Sequence, residues 1–411
     1  MSTLVARTLV AAGAITVATG LGGIAAHAVD GTVTPVASSS PGLLSSASSL
    51  SVSDDGRYVA FESSQVMAGD TNEGPDVFLA DTTTGTSTLV SRAPDGSVGN
   101  GWSGGPEISA NGKFVVFSSP ASNLTADSVG TTDLQVFRYS VATGKTMRVS
   151  KSPRGELAKD LAFGSSISAS GRYITFISYG HNLVPGDHNN RADVFRYDAT
   201  LDETIKVSET MSGAETDGNS NSGVVSPDGR YVAYATTAKN MGPSDTNGSI
   251  DTYVYDVLTD TTILASRGLS GSAAGKTTPT DISNGGSIVA LSSSSPRLAA
   301  ADTDKGHDAF LYRARTDSVA LVNASAGRAY GADVSADGRW VSYVEFASDA
   351  PGAATTTLLL DRNANQRTDI AAPLNGGVTS LSSSGAVAVF YGADRATPTQ
   401  YGLYLWTRLG G

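Results

Sequence analysis

The chain contains no cysteine. Disulfide frameworks, thiolate metal sites and a cysteine nucleophile are therefore excluded. Histidine is almost as scarce, with four residues in 411. Three of them, His181, His188 and His307, lie beyond the first thirty positions, and they are spread over two separate segments. That spacing suits solvated loop histidines better than a transition-metal cluster. Charged residues are few, at 16%. The balance is acidic, with a formal net charge of −11, which argues against non-specific nucleic-acid binding because that needs a basic footprint. No dinucleotide fingerprint or phosphate-cradling glycine loop is present. The one long apolar run is at the very start, so no later segment is expected to span a membrane.

That first stretch, residues 1–28, reads as a secretory signal peptide. Arg7 supplies a weak positive start, an Ala-, Gly- and Val-rich run follows, and Ala26-His27-Ala28 offers a small-x-small cleavage site. The glycines that interrupt the run argue against a retained anchor. The expectation is an extracytoplasmic protein, secreted or at the cell surface, with no membrane span after cleavage.

What remains is rich in Ser, Thr, Gly and Ala, the composition of many short strands and turns. A ten-residue pattern recurs at 52–61, 108–117, 167–176, 225–234, 282–291, 334–343 and 381–390. Its fullest copy is Val225-Ser-Pro-Asp-Gly-Arg-Tyr-Val-Ala-Tyr234. Every copy has Ser in second place, from Ser53 to Ser382, and Gly in fifth, from Gly56 to Gly385. Ser and Asx side chains bond nearby backbone amides, and Gly takes the positive φ of a tight hairpin. A basic residue follows in five copies, and six copies end in an aromatic residue. Successive copies lie about 50 to 60 residues apart, the period of propeller blades and solenoid units.

Each unit adds a third strand such as Asp193-Val-Phe-Arg-Tyr-Asp198 and a fourth such as Ile205-Lys-Val-Ser208. Both faces of these strands are apolar, so each sheet must be covered on both sides, as a blade between two blades is. The predicted fold is all-β: a seven-bladed β-propeller of four-stranded antiparallel blades over 45–411. The seventh unit lacks its last strand. The segment 32–38, within an N-terminal stretch of 29–44, resembles the end of the first unit and can supply it; Pro35 suits an outer edge. The competing reading of 29–45 is a Ser-rich linker.

The Ser-Pro-Asp-Gly-Arg-Tyr-Val-Ala-Tyr element followed by Asp251-x-Tyr-Val-Tyr-Asp256 resembles the WD-like repeat of TolB-type β-propellers, over about 45–408. That family includes periplasmic and cell-surface interaction proteins, propeller halves of serine peptidases and some sugar-acid lyases. The resemblance implies a scaffold, and the activity must be argued from a site. TolB has six blades and an extra N-terminal domain, for which this chain has no room, so TolB's partners do not carry over.

The candidate site lies between the second and third strands. Asp70, Asn72 and Asp76 share their spacing with Asp187, Asn189 and Asp193, with Asp245, Asn247 and Asp251, and with Asp302, Asp304 and Asp308; Asp127 and Asp133 keep only an outer pair. Alternating Asp and Asn on a turn can converge oxygens on a hard cation, so Ca²⁺ is the candidate cofactor. The glycine and glutamate of a full EF-hand loop are missing. The same residues can instead form Asx turns that bond their own backbone. Either way one face of the ring should be acidic. Gly101-Trp-Ser-Gly-Gly105 matches the nucleophile-elbow string, but no helix or hydrolase domain follows it, so it reads as coincidence. The functional expectation is a monomeric binding or scaffold module for a protein or cell-envelope polymer. The alternative is an extracellular carbohydrate lyase or hydrolase working at the channel mouth.

Overall fold

The computed structural model describes residues 31–36 and 49–409, leaving aside 66, 68, 73, 127–132, 243–244, 246, 271–273, 304–305, 324–327, 349–352, 373 and 395–400. The signal-peptide reading of 1–28, most of the Ser-rich stretch and Asp304 lie outside the described residues.

The seven sheets each have four antiparallel strands, and together they make a seven-bladed propeller. Blade 4 is representative: Ser220–Val225, Tyr231–Thr236, Asp251–Asp256 and Thr261–Leu264, running from the channel outward. Blade 7 takes Leu374–Leu381, Val387–Asp394 and Tyr401–Arg408 from the C-terminus. Its outermost strand is Gly31–Pro35, which pairs antiparallel with the last of these, Gly31 opposite Arg408 and Pro35 opposite Tyr404. The closing strand thus begins one residue earlier than the sequence pattern placed it. It ends at Pro35, where the missing N–H faces outward at no cost to the ladder.

Most repeat positions make the same contact in several blades. In blade 4 the Ser226 hydroxyl donates to Asp228 and accepts the Tyr231 N–H, which closes the turn. Gly229 has φ +77°, and a Cβ there would collide with Tyr173 of the blade before. The glycine therefore serves both the turn and the approach of a neighbouring ring. Arg230 grips Asp256 with both fork nitrogens at 2.7 and 2.6 Å, and Arg172–Asp198 and Arg339–Asp361 repeat this pairing. The terminal aromatic stacks across the sheet: Phe61 on Phe78, Phe117 on Phe137, Phe176 on Phe195, Tyr234 on Tyr253, with centroids 5.5 to 6.2 Å apart. These rings are fully buried between blades. Each contributes on the order of 2–3 kcal/mol of hydrophobic stabilisation that no isolated blade could secure.

The antiparallel order fixes two faces. Connections from second to third strand, and from one blade to the next, emerge on one face. The Ser-x-Asx-Gly hairpins and the turns from third to fourth strand emerge on the other.

Candidate functional site: the channel and the loops of one face

The innermost strands surround a cavity of about 190 Å³. Five blades are linked to their successors there by a side chain one residue before the repeat. The Ile108 N–H donates to Ser51 Oγ (3.0 Å), Ile167 N–H to Glu107 Oε2 (3.2 Å) and Val225 N–H to Ser166 Oγ (3.4 Å). Val334 N–H donates to Asp281 Oδ2 (2.8 Å) and Leu381 N–H to Asp333 Oδ2 (3.0 Å). Blade 4 has Val224 at this place and no acceptor, so the Ile282 N–H turns to its own neighbour, Asp281 Oδ1, at 2.8 Å. Bulges interrupt six of the innermost strands just before these residues. A bulge re-aims the next side chain, here into the channel.

Three carboxyl groups thereby meet in one narrow lumen. Burial pushes Glu107 up to about 7, and Asp281 adds to the effect. Burial pushes Asp281 up to about 6. Asp333 stands well above the ordinary carboxylate range, through burial and then through Asp281 and Glu107. Like charges confined by low-dielectric walls cannot all ionise, so near neutrality the group shares protons.

The Asp/Asn loops lie farther out, and the structure brings their residues together within each blade rather than across blades. The aspartate that opens the third strand is clamped from two sides. Ser91 Oγ donates to Asp76 Oδ1 at 2.6 Å and Asn72 Nδ2 to Asp76 Oδ2 at 2.9 Å. Ser208 and Asn189 hold Asp193 in the same way, and Ser266 and Asn247 hold Asp251. Asn323 Nδ2 donates to Asp308 at 2.6 Å. The Asn72 N–H donates to Asp70 Oδ1 and the Gly74 N–H to Asn72 Oδ1, which are Asx-turn bonds. In blade 2 the strand register puts Gln135, not Asp133, at the clamped position, where Ser150 donates to it. Asp127 lies outside the described residues, so of the outer pair read from Asp127 and Asp133 the structure shows only that Asp133 is two residues short of the clamped position.

The first aspartate is also buried in three of the loops: Asp70 is 5% exposed, Asp187 4% and Asp245 9%. Asp302 is partly exposed. Burial, and then the neighbouring Asp70, lifts Asp76 to about 6. The blades neutralise this pair differently. In blade 3 the Lys206 ammonium lies 3.6 Å from Asp187 and 3.8 Å from Asp193, with Glu215 at 3.3 Å. Burial opposes the charge of Lys206, but Asp193, Asp187 and Glu215 outweigh it and hold its pKa above the usual value. In blade 4 the Tyr253 hydroxyl donates to Asp245 Oδ2. In blade 1 the residue in register with Lys206 is Leu89, and Asp70 Oδ2 is buried with no hydrogen-bond partner among the described residues.

The histidines do not converge. The His188 backbone N–H donates to Glu215, and the His307 ring stacks on Tyr330 at 5.5 Å. Among the described residues no three His, Asp or Glu side chains come together as a metal cage. The Gly101–Gly105 string runs into the innermost strand of an all-β blade, without the helix that an elbow requires.

No family model matches the chain, and no curated protein is similar to it. Solved structures do match. An oligogalacturonate lyase in complex with manganese is 13% identical at TM-score 0.56, over 93% of this chain and 98% of that one. The β-propeller domain of the Trilobed protease from Pyrococcus furiosus is 11% identical at TM-score 0.56, over 88% and 92%. TolB from Acinetobacter baumannii is 13% identical at TM-score 0.44, over 87% and 82%. The first two likenesses establish a propeller fold.

Proposed function

We propose that the chain is an exported binding module whose ligand is a cationic segment of a protein or cell-envelope partner, received at the channel. The supporting observation is the trio Glu107, Asp281 and Asp333. Each commits an oxygen to the next blade and also lines the cavity, so the acid surface is held rigidly at the axis of the ring. Rigid placement favours binding because little is lost in ordering the site. The net charge of −11 adds long-range attraction for a basic partner.

The same carboxyls support a second reading. A carboxyl that keeps its proton near pH 7 beside another that ionises earlier is the pairing that glycoside hydrolysis uses as acid and base. The two readings separate in one experiment. Pull-down from cell envelopes with the parent protein and with Glu107→Gln/Asp333→Asn should recover a partner with the parent only. Turnover of an acidic or neutral oligosaccharide that the double variant abolishes would replace binding with catalysis.

The loop cation belongs to this reading as well, with blade 1 as its example. Blade 1 pairs Asp70 and Asp76 without the ammonium that serves blade 3, and Ca²⁺ is the ion whose oxygen preference suits the vacant charge.

A further inference from the structure

Blades 2 to 5 share a tyrosine one residue before the end of the third strand and a residue of positive φ five positions later. In blade 3 the Tyr197 hydroxyl donates to Asp202 at 2.5 Å; in blade 4 Tyr255 donates to Asp260 at 2.7 Å; in blade 5 Tyr312 donates to Asp317 at 3.2 Å. That aspartate also faces the residue three positions beyond the last strand of the preceding blade. Lys151 lies 2.8 Å from Asp202, and Arg267 lies 3.1 Å from Asp317. Between blades 3 and 4 the facing residue is Glu209, whose pKa is raised by burial, with Asp260 adding to it.

Between blades 1 and 2 the donors are present and the acceptor is not. Arg92 stands where Lys151 and Arg267 stand, Tyr139 stands where Tyr197 and Tyr312 stand, and the turn residue is Gly144. A Cβ at Gly144 would be 2.9 Å from Arg92 Nη2 and 3.8 Å from the Tyr139 hydroxyl. Both donors therefore converge where the sister blades carry a carboxylate. Tyr139 is 3% exposed. Among the described residues neither its hydroxyl nor the Arg92 guanidinium has an acceptor. A groove of about 730 Å³, lined by Arg92, Gly144, Lys145, Arg148, Thr125 and Thr146, opens over this point. Its one acid, Asp95, is turned onto the N–H and hydroxyl of Ser97. On so acidic a chain this is a local inversion of charge.

We propose that this groove binds a carboxylate-bearing small molecule, whose carboxylate takes the place of the missing aspartate. Arg92 and Tyr139 hold it, and Lys145 adds charge at the opening. The volume is that of ordinary small-molecule pockets, and an arginine fork with a hydroxyl is a strong donor set for a carboxylate. The site is independent of the channel reading.

The test uses the purified full chain in chloride buffer at constant ionic strength, titrated calorimetrically with acetate, glucuronate, glucose and inorganic phosphate. Glucuronate should bind and glucose should not; acetate separates the bare carboxylate from the sugar that bears it. Gly144→Asp supplies the acceptor from within. Its φ of +65° is close to the +57° of Asp202 and the +45° of Asp317, so the backbone accepts the change. This variant should melt higher than the parent without ligand and lose carboxylate affinity by about tenfold or more. Tyr139→Phe should keep the fold and weaken binding several-fold. The proposal is overturned if the parent binds neither carboxylate, if Gly144→Asp binds them as tightly as the parent does, or if phosphate binds more tightly than both.

Discussion

Asp333 in blade 6 accepts the backbone N–H of Leu381 in blade 7 at 3.0 Å, and Asp281 does the same for Val334 at 2.8 Å. The two carboxyls join three successive blades while facing a shared lumen. Because burial raises them and Glu107 above their ordinary values, the folded state holds protons that the unfolded chain releases near pH 4. Stability contributed by these protons is complete below that pH and is lost as pH rises toward about 7. Glu107→Gln and Asp333→Asn, which keep an acceptor oxygen, should each raise stability at pH 8 by about 1–2 kcal/mol and flatten this decline. Urea melts at three pH values from 4.5 to 8 check it; an unchanged slope would mean that the lumen carboxyls titrate normally.

The rim pairs act in the opposite direction. Arg230 holds the Asp256 carboxyl down to about 2, and Arg57 does the same for Asp81. Their contribution is present above pH 4 and is lost as pH falls toward 2. With the lumen carboxyls, this places the stability maximum between about pH 4 and 5. Arg230→Ala should shift acid unfolding to higher pH, as followed by near-ultraviolet circular dichroism.

Lys206 is the one ammonium held among Asp187, Asp193 and Glu215. Lys206→Met leaves buried carboxylates uncompensated, so it should cost about 3 kcal/mol at pH 7. The cost should be smaller at pH 4, because carboxyls already raised by burial take up protons there. Denaturant midpoints at the two pH values measure this. Equal losses at both would show that the side chain acts through packing alone.

If blade 1 holds Ca²⁺ between Asp70 and Asp76, adding calcium to chelated protein should raise the melting temperature. A ligand at about a hundred times its dissociation constant adds about 2.7 kcal/mol. Asp70→Asn should remove the response. A melt that ignores both calcium and chelator would leave the Asx turn as the whole role of this loop.

Much of the fold was legible because the repeat positions have fixed tasks. Ser226, Gly229, Arg230 and Tyr234 each have a defined set of contacts, and several sister blades repeat it. The missing fourth strand of blade 7 could be inferred for the same reason. The channel carboxyls were not visible. Glu107, Asp281 and Asp333 sit one residue outside the repeated decapeptide and become neighbours only when the ring brings distant blades together. A signal was present, since Ser51, Ser166 and Ser380 occupy the same place and mark it as polar. Spacing located the Asp/Asn loops, but it did not encode that the Asn72 amide turns its nitrogen toward Asp76. The gap at Gly144 emerges only when the outer turns of the blades are compared with one another.

The pairing of Gly31 with Arg408 has a mechanical consequence. The two ends of the described chain leave the ring at the same end of one antiparallel ladder. A force that draws them apart loads its hydrogen bonds one after another, starting at Arg408, instead of straining them all at once. Blade 7 is then the weakest link under tension, and a tether on one terminus with a cargo on the other would open the molecule like a zip. A fluorophore pair attached at the two ends would sit close together while the ring is shut and separate at the first step of its opening.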